Sequence, residues 1–119
     1  MKIIYALVII LVMASTAFSA DSGLNASFTS GNKTADAVIS ARPAVAKLVA
    51  IITDGSNDCS VALYNNASAA TGTVAWPALP CPAASKGCAM PIDVFMSNGI
   101  YADMTVGSGG TCTYNIHYR

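Results

Sequence analysis

Hydrophobic and polar residues alternate along several short segments of this 119-residue chain, most clearly near its C-terminus. In residues 100–106 every second side chain belongs to an apolar set, namely Ile100, Ala102, Met104 and Val106. Residues 112–118 repeat the arrangement with Cys112, Tyr114, Ile116 and Tyr118. Because a period of two puts each set on one face of a pleated strand, both segments are predicted to be β-strands. Residues 107–110 (Gly-Ser-Gly-Gly) give the backbone freedom of a reversal, so the two strands are predicted to form a hairpin.

Five further segments have the residue types of strands: residues 34–41, 44–53, 59–64, 73–76 and 90–96. The second, AVAKLVAIIT, is nearly continuous in apolar residues, which is typical of a strand buried on both faces. Its β-branched residues favour a strand over a short helix. Pro77 is predicted to end the fourth segment and, with Pro80 and Pro82, to make residues 77–86 irregular.

Turn signals recur about every 8–12 residues along this series, a spacing typical of antiparallel sandwiches and barrels. The sequence has no internal repeat, heptad pattern or amphipathic helix that would favour another class. The predicted fold is therefore all-β, a single antiparallel β-sandwich of about seven to eight short strands, jelly-roll or immunoglobulin-like, over residues 34–119.

Residues 1–20 have the three parts of a secretory signal peptide, with Lys2 before an apolar run and small residues at the end. The run is shorter than the about 20 residues that span a bilayer, so a cleaved signal is favoured over the alternative, an uncleaved anchor. Cleavage is expected after Ala17, Ser19 or Ala20. Residues 21–33 are rich in Ser, Asn and Gly and are predicted to be a flexible arm. The protein is thus expected to be exported, to the periplasm, the exterior or a virion surface.

Charged residues are scarce in this chain. They make up 10% of it, against about 25% in an ordinary soluble domain. Without Lys2 the chain has five basic and six acidic residues, a net charge of −1, and no basic cluster. That balance argues against nucleic acid and against anionic lipid as partners. A surface with so few charges is poorly protected against association, so a homo-oligomer or an assembly with other structural subunits is expected. A neutral exported monomer is the alternative.

Four cysteines in a short exported chain predict two disulfides, for which three connectivities exist. Cys81 and Cys88 bracket a loop of small residues that a local bridge would hold. Cys59 and Cys112 each fall on the apolar face of a predicted strand, which suits a bridge across the core. The favoured connectivity is therefore Cys59–Cys112 with Cys81–Cys88.

No reaction centre is recognisable in the sequence. His117 is the only histidine, and a separation of five residues puts it on the strand face opposite to Cys112. The chain contains no glutamate, and its aspartates are dispersed. A Ser-His-Asp triad has the residue types it needs, but no G-x-S-x-G turn presents a serine. The protein is predicted not to be an enzyme.

No cofactor is predicted, and the spacing of Cys81 and Cys88 is too long for a zinc knuckle. Residues 54–58 (Asp-Gly-Ser-Asn-Asp) resemble the start of a calcium loop, but the segment lacks the acidic residue that closes such a loop. A turn between strands explains these residues more simply, so no metal site is predicted.

Three aromatic residues, Tyr64, Trp76 and Tyr101, could form a stacking platform for a ligand or part of an interface, with burial in the core as the alternative. They are the candidate binding residues of the chain. They support a second functional hypothesis, a small secreted binding module for a glycan or another surface ligand.

Three segments together resemble a family of small single-domain bacteriophage virion-type proteins: AVISARPAVAKLVAIITDG, VALYNNASAATGTV and SNGIYADMTVGSGGTCTYNIHYR. Members of that family typically have an "LYD-N-x-S-A-A-x-G-T" segment and end in "NGIY-x-D-x-T" followed by "Y-R". The resemblance implies a β-sandwich and a non-enzymatic virion or surface component that packs against other subunits, with no catalytic residues. The signal peptide and the four cysteines depart from the pattern and point to an exported relative.

Overall fold

A computed structural model describes residues 27–119, which form eight strands and one short 3₁₀ helix at residues Ala83–Ser85. The strands are β1 (Phe28–Thr29), β2 (Ala37–Ser40), β3 (Ala44–Thr53), β4 (Cys59–Asn65), β5 (Val74–Cys81), β6 (Gly87–Met96), β7 (Ile100–Val106) and β8 (Cys112–Tyr118). The predicted signal peptide and the first residues of the predicted arm lie outside the described residues.

The strands form two four-stranded antiparallel sheets, and the predicted all-β sandwich is confirmed. Sheet 1 has the order β1-β8-β3-β6 and sheet 2 the order β2-β7-β4-β5. Only β4 and β5 are consecutive strands that pair with each other, and every other connection crosses from one sheet to the other. Strand ends that are distant in sequence therefore meet at the two ends of the sandwich.

The predicted C-terminal hairpin is wrong. Both of its strands exist, but β7 pairs with β2 and β4 in sheet 2, whereas β8 pairs with β1 and β3 in sheet 1. The Gly-rich residues 107–110 join the sheets instead of closing a hairpin. The physical reason is that the apolar sets of β7 and β8 face each other across the core, so each strand is paired with neighbours from elsewhere in the chain.

The core lies between the sheets and follows the predicted alternation. In β8 the side chains of Cys112, Tyr114 and Ile116 are buried, while the residues between them are half-buried on the other side. The same period of two selects Cys59, Val61 and Leu63 in β4. The Tyr114 hydroxyl donates a hydrogen bond to the carbonyl oxygen of Ala35 at 2.9 Å, which satisfies its polar end. Burial raises the pKa of this phenol to about 12.

β5 is longer than predicted, because it continues through Pro77 and Pro80 to Cys81. It is the outermost strand of sheet 2 and pairs only with β4. A proline removes one N–H donor, and an edge strand has one side on which no donor is needed. The pairing with β4 is irregular on both sides of Leu63, which accommodates the prolines. The prediction that residues 77–86 are irregular holds only for the part after β5.

The last residues of the predicted N-terminal arm belong to sheet 1. Phe28 and Thr29 pair with Tyr118 and His117, and Lys33 forms a bridge with Tyr114 through two backbone hydrogen bonds. These contacts cover the open edge of β8. Strand pairing in sheet 1 therefore already includes Phe28, ahead of the predicted domain start at residue 34.

The two favoured disulfides are confirmed. Cys59–Cys112 joins β4 in sheet 2 to β8 in sheet 1, with 6.2 Å between the Cα atoms. Cys81–Cys88 joins the end of β5 to the start of β6 at 5.7 Å. Cys59 and Cys81 are cross-strand partners, so both bridges lie at the same end of the sandwich. Two disulfides indicate an oxidising environment, extracellular or periplasmic.

Candidate association surface

The three predicted aromatic candidates do not form one platform. Tyr64 and Tyr101 are direct cross-strand partners on the outer face of sheet 2, each half-buried. Trp76 is the partner of Leu63 on the inner side and packs against the core. Its indole Nε1 is buried and has no hydrogen-bond partner among the described residues. The structure thus places two of these residues together at the surface and assigns the third to packing.

The most apolar surface lies elsewhere, on the outer side of sheet 1. Because direct partners point to the same side of a sheet, the register of β3 with β6 identifies the side chains that share this surface. The pairs are Val45 with Phe95, Leu48 with Pro91, and Ala50 with Ala89, and Ile52 extends the row. We call these seven residues the β3–β6 face. None of them is charged or has a polar side chain.

The two most exposed large hydrophobic side chains of the described residues belong to this face. Phe95 is 65% exposed to solvent and Ile52 is 57% exposed. The most exposed large hydrophobic residues on the outer side of sheet 2 are Val74, which is 47% exposed, and Val38, which is 43% exposed. Large apolar side chains that stay exposed along two paired strands mark a candidate interaction site. The β3–β6 face is therefore the stronger candidate of the two.

Two charged residues, Lys47 and Asp93, interrupt the β3–β6 face between the Val45–Phe95 and Leu48–Pro91 pairs and neutralise each other. Lys47 lies at an irregularity in β3, and its ammonium donates to Asp93 Oδ1 at 2.9 Å. This hydrogen bond lowers the pKa of Asp93, as does the positive charge of Lys47. The pair leaves the face without net charge, so two copies that meet there do not repel each other.

Polar side chains of β8 flank the β3–β6 face. Thr113, Asn115 and His117 are the partners of Ile52, Ala50 and Leu48, so they lie on the same side of sheet 1. All three are half-buried. An apolar centre with a neutral polar border is the usual composition of a protein interface.

The outer face of sheet 2 is less suited to burial. Val38, Tyr101, Tyr64 and Val74 form a cross-strand row, but Asp103 lies beside it on β7. Burial raises the pKa of Asp103, and the nearby Asp36 raises it further through its charge and a hydrogen bond. Unlike Asp93, Asp103 has no basic partner among the described residues, so a partner protein that covered its carboxylate would add an uncompensated desolvation cost.

His117 and Cys112 do not form a catalytic pair. His117 lies on the outer side of β8 between Thr29 and Leu48, while Cys112 is buried on the core side in its disulfide. Within residues 27–119 there is also no cluster of three or more His, Cys, Asp or Glu residues that could hold a metal ion.

The calcium-like segment has a structural role. Asp54 Oδ1 accepts the backbone N–H groups of Ser56 and Asn57, and its Oδ2 accepts that of Thr111 at 2.9 Å. The carboxylate thus ties the β3–β4 connection to the β7–β8 connection. These hydrogen bonds lower the pKa of Asp54 well below its ordinary range, the one from Thr111 most strongly.

Acidification is expected to weaken the fold through Asp54. Its folded-state pKa is depressed, so its contribution is fully present above the unfolded value of about 3.9 and is lost as the pH falls through the folded value. Urea-unfolding midpoints measured from pH 5 down to pH 2 are expected to fall more steeply in the wild type than in Asp54→Asn, which has no carboxylate to protonate. Parallel curves for the two proteins would contradict this role.

Sequence reasoning identified the strand that carries most of the β3–β6 face but misjudged one of its sides. The continuous apolar run of β3 predicted burial on both faces, whereas Ile52 is largely exposed because no further layer covers sheet 1. The available signal is this run together with Phe95, which lies in the polar register of β6, the neighbour of β3 in sheet 1. It marks a strand with one core face and one apolar face that is open in the monomer.

No helix long and apolar enough to cross a membrane occurs in the described part of the chain. In comparisons with known proteins, no family model, no curated protein and no solved structure matches this sequence. The function is therefore inferred from the surface itself.

Proposed function

We propose that the protein is a non-enzymatic structural protein that acts by association of its own copies through the β3–β6 face, on a virion or at a cell surface. The observation that carries the proposal is the exposure of Phe95 and Ile52 in a mostly apolar row across two strands, whose one charged pair, Lys47–Asp93, is neutralised. Burying such side chains stabilises a complex by about 25 cal/mol for each Å² of apolar surface removed from water. The low overall charge of the chain supports the same reading.

Export is part of the proposal. The two disulfides require an oxidising compartment, and the N-terminal sequence has the character of a signal peptide. The resemblance to phage virion-type sandwiches favours a particle surface as the location. Other structural subunits of such a particle are the alternative partners for the same face.

A second function, as a small secreted binding module, is favoured by one observation. Tyr64 and Tyr101 stand side by side on the outer face of sheet 2, where a glycan ring could stack on them. We rank this function second because Trp76 does not join the pair.

A charged substitution within the face tests the main proposal. Phe95→Lys is expected to weaken self-association about tenfold or more, because each copy would bury an unpaired ammonium in the interface. Val74→Lys is the matched control: it makes a comparable change at an exposed apolar position on sheet 2 and is expected to leave association within about twofold of the wild type. Light scattering on purified protein measures both. Equal association of all three proteins would contradict the proposal.

A further inference from the structure

Both arginines of the sequence line the same groove at one end of the sandwich. Arg42 lies in the β2–β3 connection, and Arg119 follows β8. The structure brings them together because backbone hydrogen bonds in both directions join Arg119 to Val45 at the start of β3. This end of the molecule is opposite to the one that holds the two disulfides.

The rest of the groove is aromatic and aliphatic. Its other lining residues are Phe28, Ser40, Pro43, Ala44 and Tyr118. The rings of Phe28 and Tyr118 are stacked with their centroids 5.7 Å apart, and Phe28 remains more than half exposed. The groove thus combines two guanidinium-bearing residues with an exposed aromatic ring.

Acidic side chains do not occupy this groove. No aspartate side chain of the described residues lies within ion-pair distance of either arginine or lines the groove, although the α-carboxylate of Arg119 belongs to a lining residue. Asp93 is close enough for Arg119 to contribute to its lowered pKa, but its oxygen is already bonded to Lys47. At the opposite end, Asp54 and Asp58 accept backbone N–H groups. The groove end therefore holds both arginines, whereas Asp54 and Asp58 lie at the opposite end.

We infer that this groove binds a small organic carboxylate carried on a single ring. Planar guanidinium groups recognise carboxylates through paired N–H donors, and an exposed aromatic ring provides a contact surface for the ring of the ligand. The groove has a volume of about 240 Å³, below the range of about 300–1,000 Å³ for pockets that enclose drug-sized ligands. One ring fits, and a longer chain would extend into solvent. This site is separate from the β3–β6 face and goes beyond the proposed association.

The ring can come from an acidic sugar or from an aromatic acid, and two probes distinguish them. Glucuronate and benzoate are titrated into the disulfide-bonded protein, with inorganic phosphate as a probe for a simple anion site, and backbone amide shifts are recorded by NMR. One of the two carboxylates is expected to shift the amides of Ala44, Tyr118 and Arg119 and to bind more tightly than phosphate. Tighter glucuronate assigns an acidic sugar, and tighter benzoate an aromatic acid.

Substitutions test the role of the arginines. Arg42→Gln and Arg119→Gln are each expected to weaken carboxylate binding about tenfold, the usual effect of losing a charge-assisted hydrogen bond. Arg42→Lys keeps the charge but not the planar fork, so partial recovery is expected. Lys86→Gln removes a positive charge at the opposite end and is expected to change binding less than twofold. Amide spectra verify that each variant is folded.

The inference is overturned if neither carboxylate shifts these amides, if phosphate binds as tightly as both carboxylates, or if binding survives in the Arg42→Gln/Arg119→Gln double variant.

Discussion

Replacing Cys59 and Cys112 together with alanine is expected to lower the free energy of unfolding by about 4 kcal/mol, on the loop-entropy estimate for their separation in sequence. The bridge spans 53 residues and fastens β4 of sheet 2 to β8 of sheet 1. Both side chains are buried in the core, so the substitution also removes packing there. Urea unfolding of the oxidised proteins measures the change.

The second bridge provides a matched control. Cys81 and Cys88 are separated by seven residues, so removing their bridge is expected to cost about 2.5 kcal/mol on the same estimate. Cys81 is as deeply buried as Cys59, but Cys88 is half-buried whereas Cys112 is buried, so less core packing is also lost with this bridge. An equal or larger loss for the Cys81→Ala/Cys88→Ala variant would contradict the view that Cys59–Cys112 is the main link between the sheets.

Leu63→Ala is expected to destabilise the fold by about 3 kcal/mol, within the usual range for a leucine truncated in a core. Leu63 is fully buried in β4, between its partners Ala102 and Trp76. Truncation leaves a cavity beside the Trp76 ring that the paired strands cannot close. Thermal or urea unfolding measures the loss.

Leu79→Ala is the control for this substitution. Leu79 lies on the neighbouring edge strand β5 and retains 41% of its exposure. The same change in side-chain volume is expected to cost about 1 kcal/mol or less there, because little apolar surface is removed from the core. Similar losses at both positions would show that the core is not centred on Leu63.

The sequence predicts most of the strands because period-two alternation is a local property. Residues 100–106 and 112–118 show the faces that β7 and β8 use, and the structure places those faces in the core. The predicted Cys59–Cys112 disulfide follows from the same alternation, which turns both cysteines inward, whereas Cys81–Cys88 follows from the short loop between them.

The partner of each strand is not a local property, and here the prediction fails. Residues 107–111 connect β7 to β8, and five extended residues reach about 17 Å. Packed sheets are about 10 Å apart, so the same segment can close a hairpin or cross between sheets. The choice depends on which neighbours cover each strand, which alternation alone does not encode. For the same reason the sequence does not reveal that β5 is an edge strand that tolerates Pro77.

The candidate surfaces are harder to predict than the core. The groove lined by Arg42 and Arg119 forms only because a strand near one end of the sequence pairs with a strand at the other. The β3–β6 face depends on the pairing of two strands that are far apart in the chain. The sequence identifies Tyr64, Trp76 and Tyr101 as candidate binding residues because they are aromatic. It does not show that Trp76 lies on the opposite side of sheet 2 from the two tyrosines.

The most direct test of the central claim is sedimentation velocity of the wild-type protein over a dilution series. Association through the β3–β6 face predicts a species larger than the monomer that dissociates reversibly on dilution. It also predicts little sensitivity to added salt, because most of the contacting side chains are apolar and the one charged pair, Lys47–Asp93, is neutralised within each copy. A single monomeric species at every concentration, including the highest that the protein's solubility allows, would contradict the account.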